Sequence, residues 1–248
     1  MPLLHELAKV HATFDDPHLV SHAGLVPVMA LAQQAGGLAR EHVRLRRPCG
    51  VNAGCLAVGM TAGAGSIDDM GLLRHGALPG LFGGLRAPST PGSFLRSFTW
   101  GNVLQLQKVH RQLLAELAHR TPLLPGADVL AFPDIDSQQK RVYGHRKQGA
   151  AFGFTKIQGK GLLVRGLNVL AASITTPLAA PVIAATRLRG GSAASARGAA
   201  SMITEAVGTV RTAGCTATLI ARMDSACYGA PAVPAARRAG HISPSPSG

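Results

Sequence analysis

Two aspartates that close apolar runs, Asp136 and Asp224, are the residues of this chain best suited to chemistry. Asp136 ends the segment Asp128-Val-Leu-Ala-Phe-Pro-Asp-Ile-Asp136, which reads as a strand, and Asp224 ends a second strand-like run from Thr216 to Met223. If those strands are neighbours, two carboxylates 224 − 136 = 88 positions apart lie side by side. Held that close, they repel unless a cation sits between them. Oxygen ligands of this kind suit Mg²⁺ or Mn²⁺, which keep several waters and bind substrate phosphates. Two such ions, roughly 3.5–4 Å apart, activate a water or hydroxyl and stabilise the leaving oxygen in phosphodiester cleavage and strand transfer. Asp134 shares a sheet face with Asp136 by the strand period, and is either a further ligand or a neighbour. The plain alternative for any strand-terminal aspartate is a turn residue bonded to its own backbone.

The elements that must position these acids follow from periodicity. After the first strand comes a polar and basic stretch from Ser137 to Lys160, then strands over Leu162 to Ile174 and Val182 to Leu188, joined at Thr175-Thr176-Pro177. Gly190-Gly191-Ser192 opens an expected helix whose apolar face is Ala196, Ala199, Ile203, Val207 and Val210, closed by Gly214. Three strands joined by hairpin-like connections run up, down and up, and the helical crossover returns the chain for a fourth strand, also up. The first and fourth strands are therefore parallel and end in aspartate at one sheet edge, where ligands gather in such folds. Pro133 is the oddity, because proline cannot donate to a ladder from a central strand. Arg189-Gly-Gly-Ser192 at a helix start suggests a phosphate-binding loop, but it lacks the P-loop Lys-Ser/Thr, and an ordinary helix cap explains it as well.

Composition narrows the partner. The chain has 248 residues, of which 25 are Lys or Arg and 12 Asp or Glu, a net +13. Such a surface favours polyanions, since each phosphate neutralised releases a counterion, although a GC-rich genome also inflates Arg, Ala and Gly. Cys49, Cys55, Cys215 and Cys227 match no zinc or redox spacing and read as buried thiols in a cytoplasmic protein. The N-terminus lacks an export signal pattern. The most apolar region, Gly161 to Ala185, is interrupted by Arg165, Asn168, Pro177 and Pro181, which suits two buried strands rather than a membrane span.

From Ala23 to about Arg120 the pattern is helical. Asp68 and Asp69 after Ser66 mark a helix start, and Thr90-Pro91 another. The clearest helix runs from about Asn102 to His119, with Val103, Leu106, Leu113 and Leu117 on one face and Lys108, Arg111 and Gln112 turned away. These two helices form either a helix-turn-helix-like DNA reader, with Arg96, Lys108 and Arg111 toward DNA, or a bundle with a solvated basic face. Thr121 to Gly126 is a seam between a helical region, 1–125, and a core, 126–240; residues 241–248 have the composition of a disordered tail. Lys140, Arg141, Arg146, Lys147, Lys156 and Lys160 form a solvated loop or a DNA-backbone contact beside the acids.

At these positions the chain resembles a known family. Phe14-Asp-Asp-Pro-His-Leu-Val20 with Ala23-Gly-Leu-Val-Pro27, the block Ser66 to Phe82-Gly-Gly84, Ala87-Pro-Ser-Thr90, Asp134-Ile-Asp-Ser137, Tyr143-Gly144 with Lys147-Gln-Gly149, and Arg222-Met-Asp-Ser225 resemble the DDE insertion-sequence transposases of the IS thirteen-eighty family. The resemblance spans about Phe14 to Gly240. It implies an α/β fold, an RNase H-like mixed sheet preceded by a helical DNA-binding region. It also implies Mg²⁺- or Mn²⁺-dependent cutting of double-stranded DNA at terminal inverted repeats and insertion into target DNA, with self-association left open. In that clan the first acid commonly precedes a Ser/Thr-rich step, which favours Asp136 before Ser137 over Asp134, and the second acid matches Asp224. The family's third acid is a glutamate on a later helix, yet no Asp or Glu follows Asp224, and Glu205 lies on the crossover helix. The expectation is an incomplete core in a truncated or decayed copy with little or no transposition of its own. Its alternative is a non-catalytic DNA-binding remnant that occupies the inverted repeats.

Overall fold

A computed structural model describes residues 18, 20–35, 53–82, 85–144, 147–224, 227, 231–238 and 245–246. The chain divides into two compact units, Met1–Asn102 and Val103–Gly248. No described helix is long and apolar enough to cross a membrane.

In the first unit the described elements are helical: α1 (Leu25–Gln34), α2 (Ala53–Thr61), a 3-10 turn Asp68–Arg74, α3 (Leu78–Leu81) and α4 (Ser89–Arg96). Their core is Leu25, Met29, Cys55, Val58, Met70, Leu73 and Phe94. Ser66 and Asp69 behave as the sequence suggests, as a helix start. The Asp69 carboxylate accepts the Gly65 and Ser66 N–H groups at 2.9 and 2.7 Å. The Ser66 side chain first, and these two backbone bonds after it, hold the carboxyl below its ordinary range. Of the sequence block Phe14 to Val20, residues 14–17 and 19 lie outside the described residues.

α5 (Trp100–Arg120) begins two residues before the expected start; at its entry the Asn102 side chain reaches back and accepts the Thr99 N–H at 3.0 Å and the Thr99 hydroxyl at 2.8 Å. From Val103 onward α5 belongs to the second unit, whereas α4 belongs to the first.

The second unit is a mixed α/β structure whose strands follow the expected directions. β1 (Leu130–Arg141) pairs antiparallel with β3 (Lys160–Thr176), and β3 pairs antiparallel with β4 (Ala179–Arg189). The chain crosses over through α6 (Ala199–Thr212) and returns as β5 (Thr218–Leu219) and β6 (Arg222–Met223), both parallel to β1. The sheet order is thus β4, β3, β1 and the β5–β6 line, with the crossover helix on one face. α7 (Ala232–Arg238) packs against α6. Leu170, Ile174, Met202, Ile203, Val210 and Leu219 are completely buried between sheet and helix. Burying residues of this size, at roughly 1.5–3 kcal/mol each, is the main force aligning the strands.

Four departures from the sequence reading have physical causes. The stretch from Ser137 to Lys160 is not a loop: β1 continues to Arg141, and β2 (Ala151–Ile157) pairs with the front of β3. Its alternation is hidden because Phe152 and Phe154 on one face alternate with Gly153 and Thr155 on the other. Glycine is required there, since a Cβ on Gly153 would stand 2.4 Å from the Gly191 carbonyl and one on Gly166 would stand 2.3 Å from the Lys140 carbonyl. The fourth strand is broken into β5 and β6. The parallel register keeps an offset of 218 − 130 = 222 − 134 = 88, so Pro133 falls opposite Ala221, in the gap, where it brings no N–H. The Gly190-Gly191-Ser192 segment does not open a helix; α6 starts at Ala199 after an irregular loop, with Gly198 at φ 85°. Finally, Ser245–Pro246 (β7) pairs beside β6, where composition alone suggested a disordered tail.

Candidate functional site

The site is built by the β1–β6 pairing. Asp134 lies opposite Arg222 and Ile135 opposite Met223 in parallel register, so Asp136 and Asp224 are the next pair along. Ile135 and Met223 are 2% and 3% exposed and point into the core, so by the strand alternation Asp134, Asp136, Arg222 and Asp224 share the opposite, open face. These six residues line one open pocket of about 330 Å³. The two acids that sequence placed together are thus together, on one side of one sheet and on adjacent parallel strands; Asp224 directly follows β6, whereas Asp136 lies inside β1, which runs on to Arg141, and so does not end its strand as the sequence suggested.

The two aspartates of β1 are differently employed. Both oxygens of Asp134 are taken by Arg222, whose Nε and Nη2 donate at 2.6 and 2.7 Å, and the Thr175 hydroxyl donates at 3.2 Å. Arg222 also lies over the Phe132 ring at 4.6 Å. The hydrogen bonds to Asp134 push the Arg222 pKa up, against a smaller opposing effect of burial. A carboxylate held bidentately by a guanidinium is a poor ligand, because releasing it exposes an unpaired charge on the arginine. Among the described residues Asp136 forms no ion pair; its Oδ1 accepts the Ser137 N–H at 2.7 Å. Geometry therefore separates the two: Asp136 faces the pocket beside Asp224, and Asp134 is a structural partner of Arg222. No group of three or more His, Cys, Asp or Glu side chains converges among the described residues.

Behind the acids lies a polar network that sequence reading missed. Arg189, at the end of β4, is 7% exposed and donates to Asn168 Oδ1 from Nε at 3.0 Å and to Ser137 Oγ at 2.9 Å. Its Nη1 donates to the carbonyls of Ala194 at 3.1 Å, Ser195 at 3.4 Å and Arg197. The loop 190–198 thus turns carbonyls inward to a cation, the opposite of a phosphate-binding loop, whose N–H groups face an anion. Burial lowers the Arg189 pKa. Cys227, 1% exposed, sits among these groups, and its thiol is pushed up by burial first and by the Asp224 charge second, with Arg189 opposing.

The basic residues singled out from sequence divide as well. Arg96 and Lys108 are exposed on their helices, and Lys140, Arg141, Lys147 and Lys160 are exposed in the β1–β3 region. Arg111 is not a free surface cation. It meets Glu205 of α6, whose other oxygen accepts from Arg187 at 2.7 Å, so this trio ties α5, α6 and β4 together. Arg146 lies outside the described residues, and Lys156 is described by its backbone alone. One signal for the Asp134–Arg222 pair was present in the sequence: Arg222 precedes Asp224 by two residues as Asp134 precedes Asp136, the same 88-residue offset. The Arg189 network left no comparable trace, because its acceptors are mostly main-chain carbonyls. No protein-family model, curated protein or solved structure matches the chain.

Proposed function

We propose that the second unit carries an RNase H-like, metal-dependent phosphodiester-transfer core of the DDE transposase type. The observation that carries this reading is the pocket that Asp136 and Asp224, 88 positions apart, line from adjacent parallel strands in register. The order of strands, with the third, second and first followed by a fourth reached through a helical crossover, supports the fold assignment. The donor set fits a hard divalent cation: two carboxylates, with the competing guanidinium of Arg222 already held by Asp134. Asp136 and Asp224 would hold Mg²⁺ or Mn²⁺, which when bound supplies Lewis-acid activation of a nucleophilic oxygen.

The chain's own residues do the positioning. The Ser137 N–H orients the Asp136 carboxylate, and Ser137, Asn168 and Arg189 fix β1 against β3 and β4 from beneath. Lys140, Arg141, Lys147 and Lys160 supply charge to a DNA backbone approaching the acid edge. Two acids bind a metal more weakly than three, and phosphodiester cleavage by this chain alone is expected to be very slow. The absence of a three-acid cluster among the described residues also favours a second reading, a non-catalytic protein that binds the element's inverted repeats.

Titration of the full chain with Mn²⁺, followed by electron paramagnetic resonance, tests the metal site. Bound Mn²⁺ that disappears in both Asp136→Asn and Asp224→Asn is expected. Binding unchanged in either variant sinks the reading. Binding of an inverted-repeat duplex with a steep salt slope but no metal dependence selects the second reading.

A further inference from the structure

We infer that the open face of the β2–β3 hairpin is a stacking platform for unpaired bases of a DNA strand. The inference rests on the nucleic-acid side of the proposed function and not on the metal. Aromatic residues are only 4% of the chain, yet three of them crowd this corner with their rings in solvent: Tyr143, Phe152 and Phe154 are 72%, 61% and 79% exposed. A Phe so exposed on a short β-strand adds nothing to the core and leaves most of its apolar surface in water, so its gain must come from something laid on it.

The register places Phe152 and Phe154 on the face that carries the acids. Asp136 pairs with Ala171, Lys140 with Leu167, Phe152 with Arg165 and Phe154 with Leu163, and the odd-numbered residues of β3 all point the same way. Asp136 and Lys140 are four strand residues, about 13 Å, apart along β1. A chain of nucleotides lying on the hairpin therefore runs toward the acid pocket. Arg141 stands over the Tyr143 ring at 5.0 Å, and Arg165 donates to the Gly144 carbonyl at 2.6 Å. With Phe152 and Leu163 these residues line an open pocket of about 460 Å³.

Charge decides the class of partner. From residue 137 to residue 204 the chain contains ten Lys or Arg and no Asp or Glu, and although Arg187 and Arg189 are engaged internally, the hairpin itself brings only positive charge to a phosphate. Aromatic faces bordered by arginines suit a single strand, whose bases offer free π-faces, better than a duplex, whose bases are already stacked.

Fluorescence polarisation with the full chain tests this, using a short labelled oligothymidine strand and a blunt DNA duplex of equal length. The Phe152→Ala/Phe154→Ala variant is expected to bind the strand at least about tenfold more weakly, since stacking contributes about 1–3 kcal/mol per base. Duplex binding and the melting temperature are expected to stay as in the wild type, and Phe152→Tyr/Phe154→Tyr to keep strand binding. Unchanged strand affinity in the Ala variant overturns the inference, as does an equal loss on the duplex. So does a wild-type oligomer that the Ala variant dissolves while neither binds the strand. Preference for an RNA strand over the same DNA by tenfold or more overturns the assignment to DNA. Loss of Mn²⁺ binding with strand binding intact would count against the metal site alone.

Discussion

Replacing Arg189 with methionine separates a structural cation beneath the acid pocket from a binding one. The guanidinium is 7% exposed and donates to Asn168, Ser137 and the carbonyls of Ala194, Ser195 and Arg197. Hydrogen bonds from a charged donor contribute roughly 1.5–3 kcal/mol each, but their simple sum overstates the effect, because desolvating the cation costs several kcal/mol. Methionine removes the cation and its desolvation together, so what counts is the acceptors left behind. Ala194 and Arg197 are exposed enough for water to replace the lost donor. Asn168 Oδ1 and the Ser195 carbonyl are more enclosed and would keep only long second donors, the Ser137 hydroxyl at 3.3 Å and the Cys227 thiol at 3.7 Å, and an enclosed acceptor left so poorly satisfied costs about 1–3 kcal/mol. The expected loss is about 3 kcal/mol. For a unit of 248 − 102 = 146 residues this corresponds to a melting temperature lower by roughly 6–12 °C. Urea denaturation followed by far-ultraviolet circular dichroism reads it. Arg189→Lys should recover only part, since an ammonium has three donors and no planar fork. A loss below about 1 kcal/mol, or a gain, would refute the view that the cation holds the loop 190–198 to β1 and β3.

Asp134→Asn should leave Mn²⁺ binding unchanged while reducing stability by less than about 1 kcal/mol, because the Arg222 pair is partly exposed; loss of the metal would make Asp134 a ligand. Burial and Asp224 raise the Cys227 pKa, so the folded chain keeps a proton that the unfolded chain releases above the ordinary thiol value of 9.0. Stability is therefore intact below that value and declines as pH rises past it, and Cys227→Ala should flatten the alkaline slope of denaturation midpoints. His110 titrates in the other direction. Its pKa is lowered by burial first and by Arg111 second, and its Nδ1 is buried without a hydrogen-bond partner among the described residues. The unfolded chain takes up a proton below the ordinary imidazole value of 6.5 that the folded chain refuses, so stability present above that value falls as pH drops. His110→Phe should reduce this acid slope, measured by thermal melts across the range.

The sequence by itself determined the strand directions and the pairing of ends. Alternation in β1 and β3, the apolar stripe Ile203, Val207 and Val210 of α6, and one helical crossover allow a single arrangement in which β1 and the last strand are parallel. Asp136 and Asp224 follow from that arrangement, because each is the last residue of a strand-like run, Asp128 to Asp136 and Thr216 to Asp224. Tertiary structure decided which carboxylate of the pocket is taken up by an arginine. Asp134 and Asp136 are equivalent by periodicity, and only the register, which puts Arg222 opposite Asp134, distinguishes them. It also decided the fate of Arg111 and Arg189, since a cation's role depends on which carboxylate or carbonyl from elsewhere in the chain comes within about 3 Å of it. Periodicity describes one segment at a time. Ion pairs and hydrogen-bond networks are made between segments, at distances that no local pattern encodes.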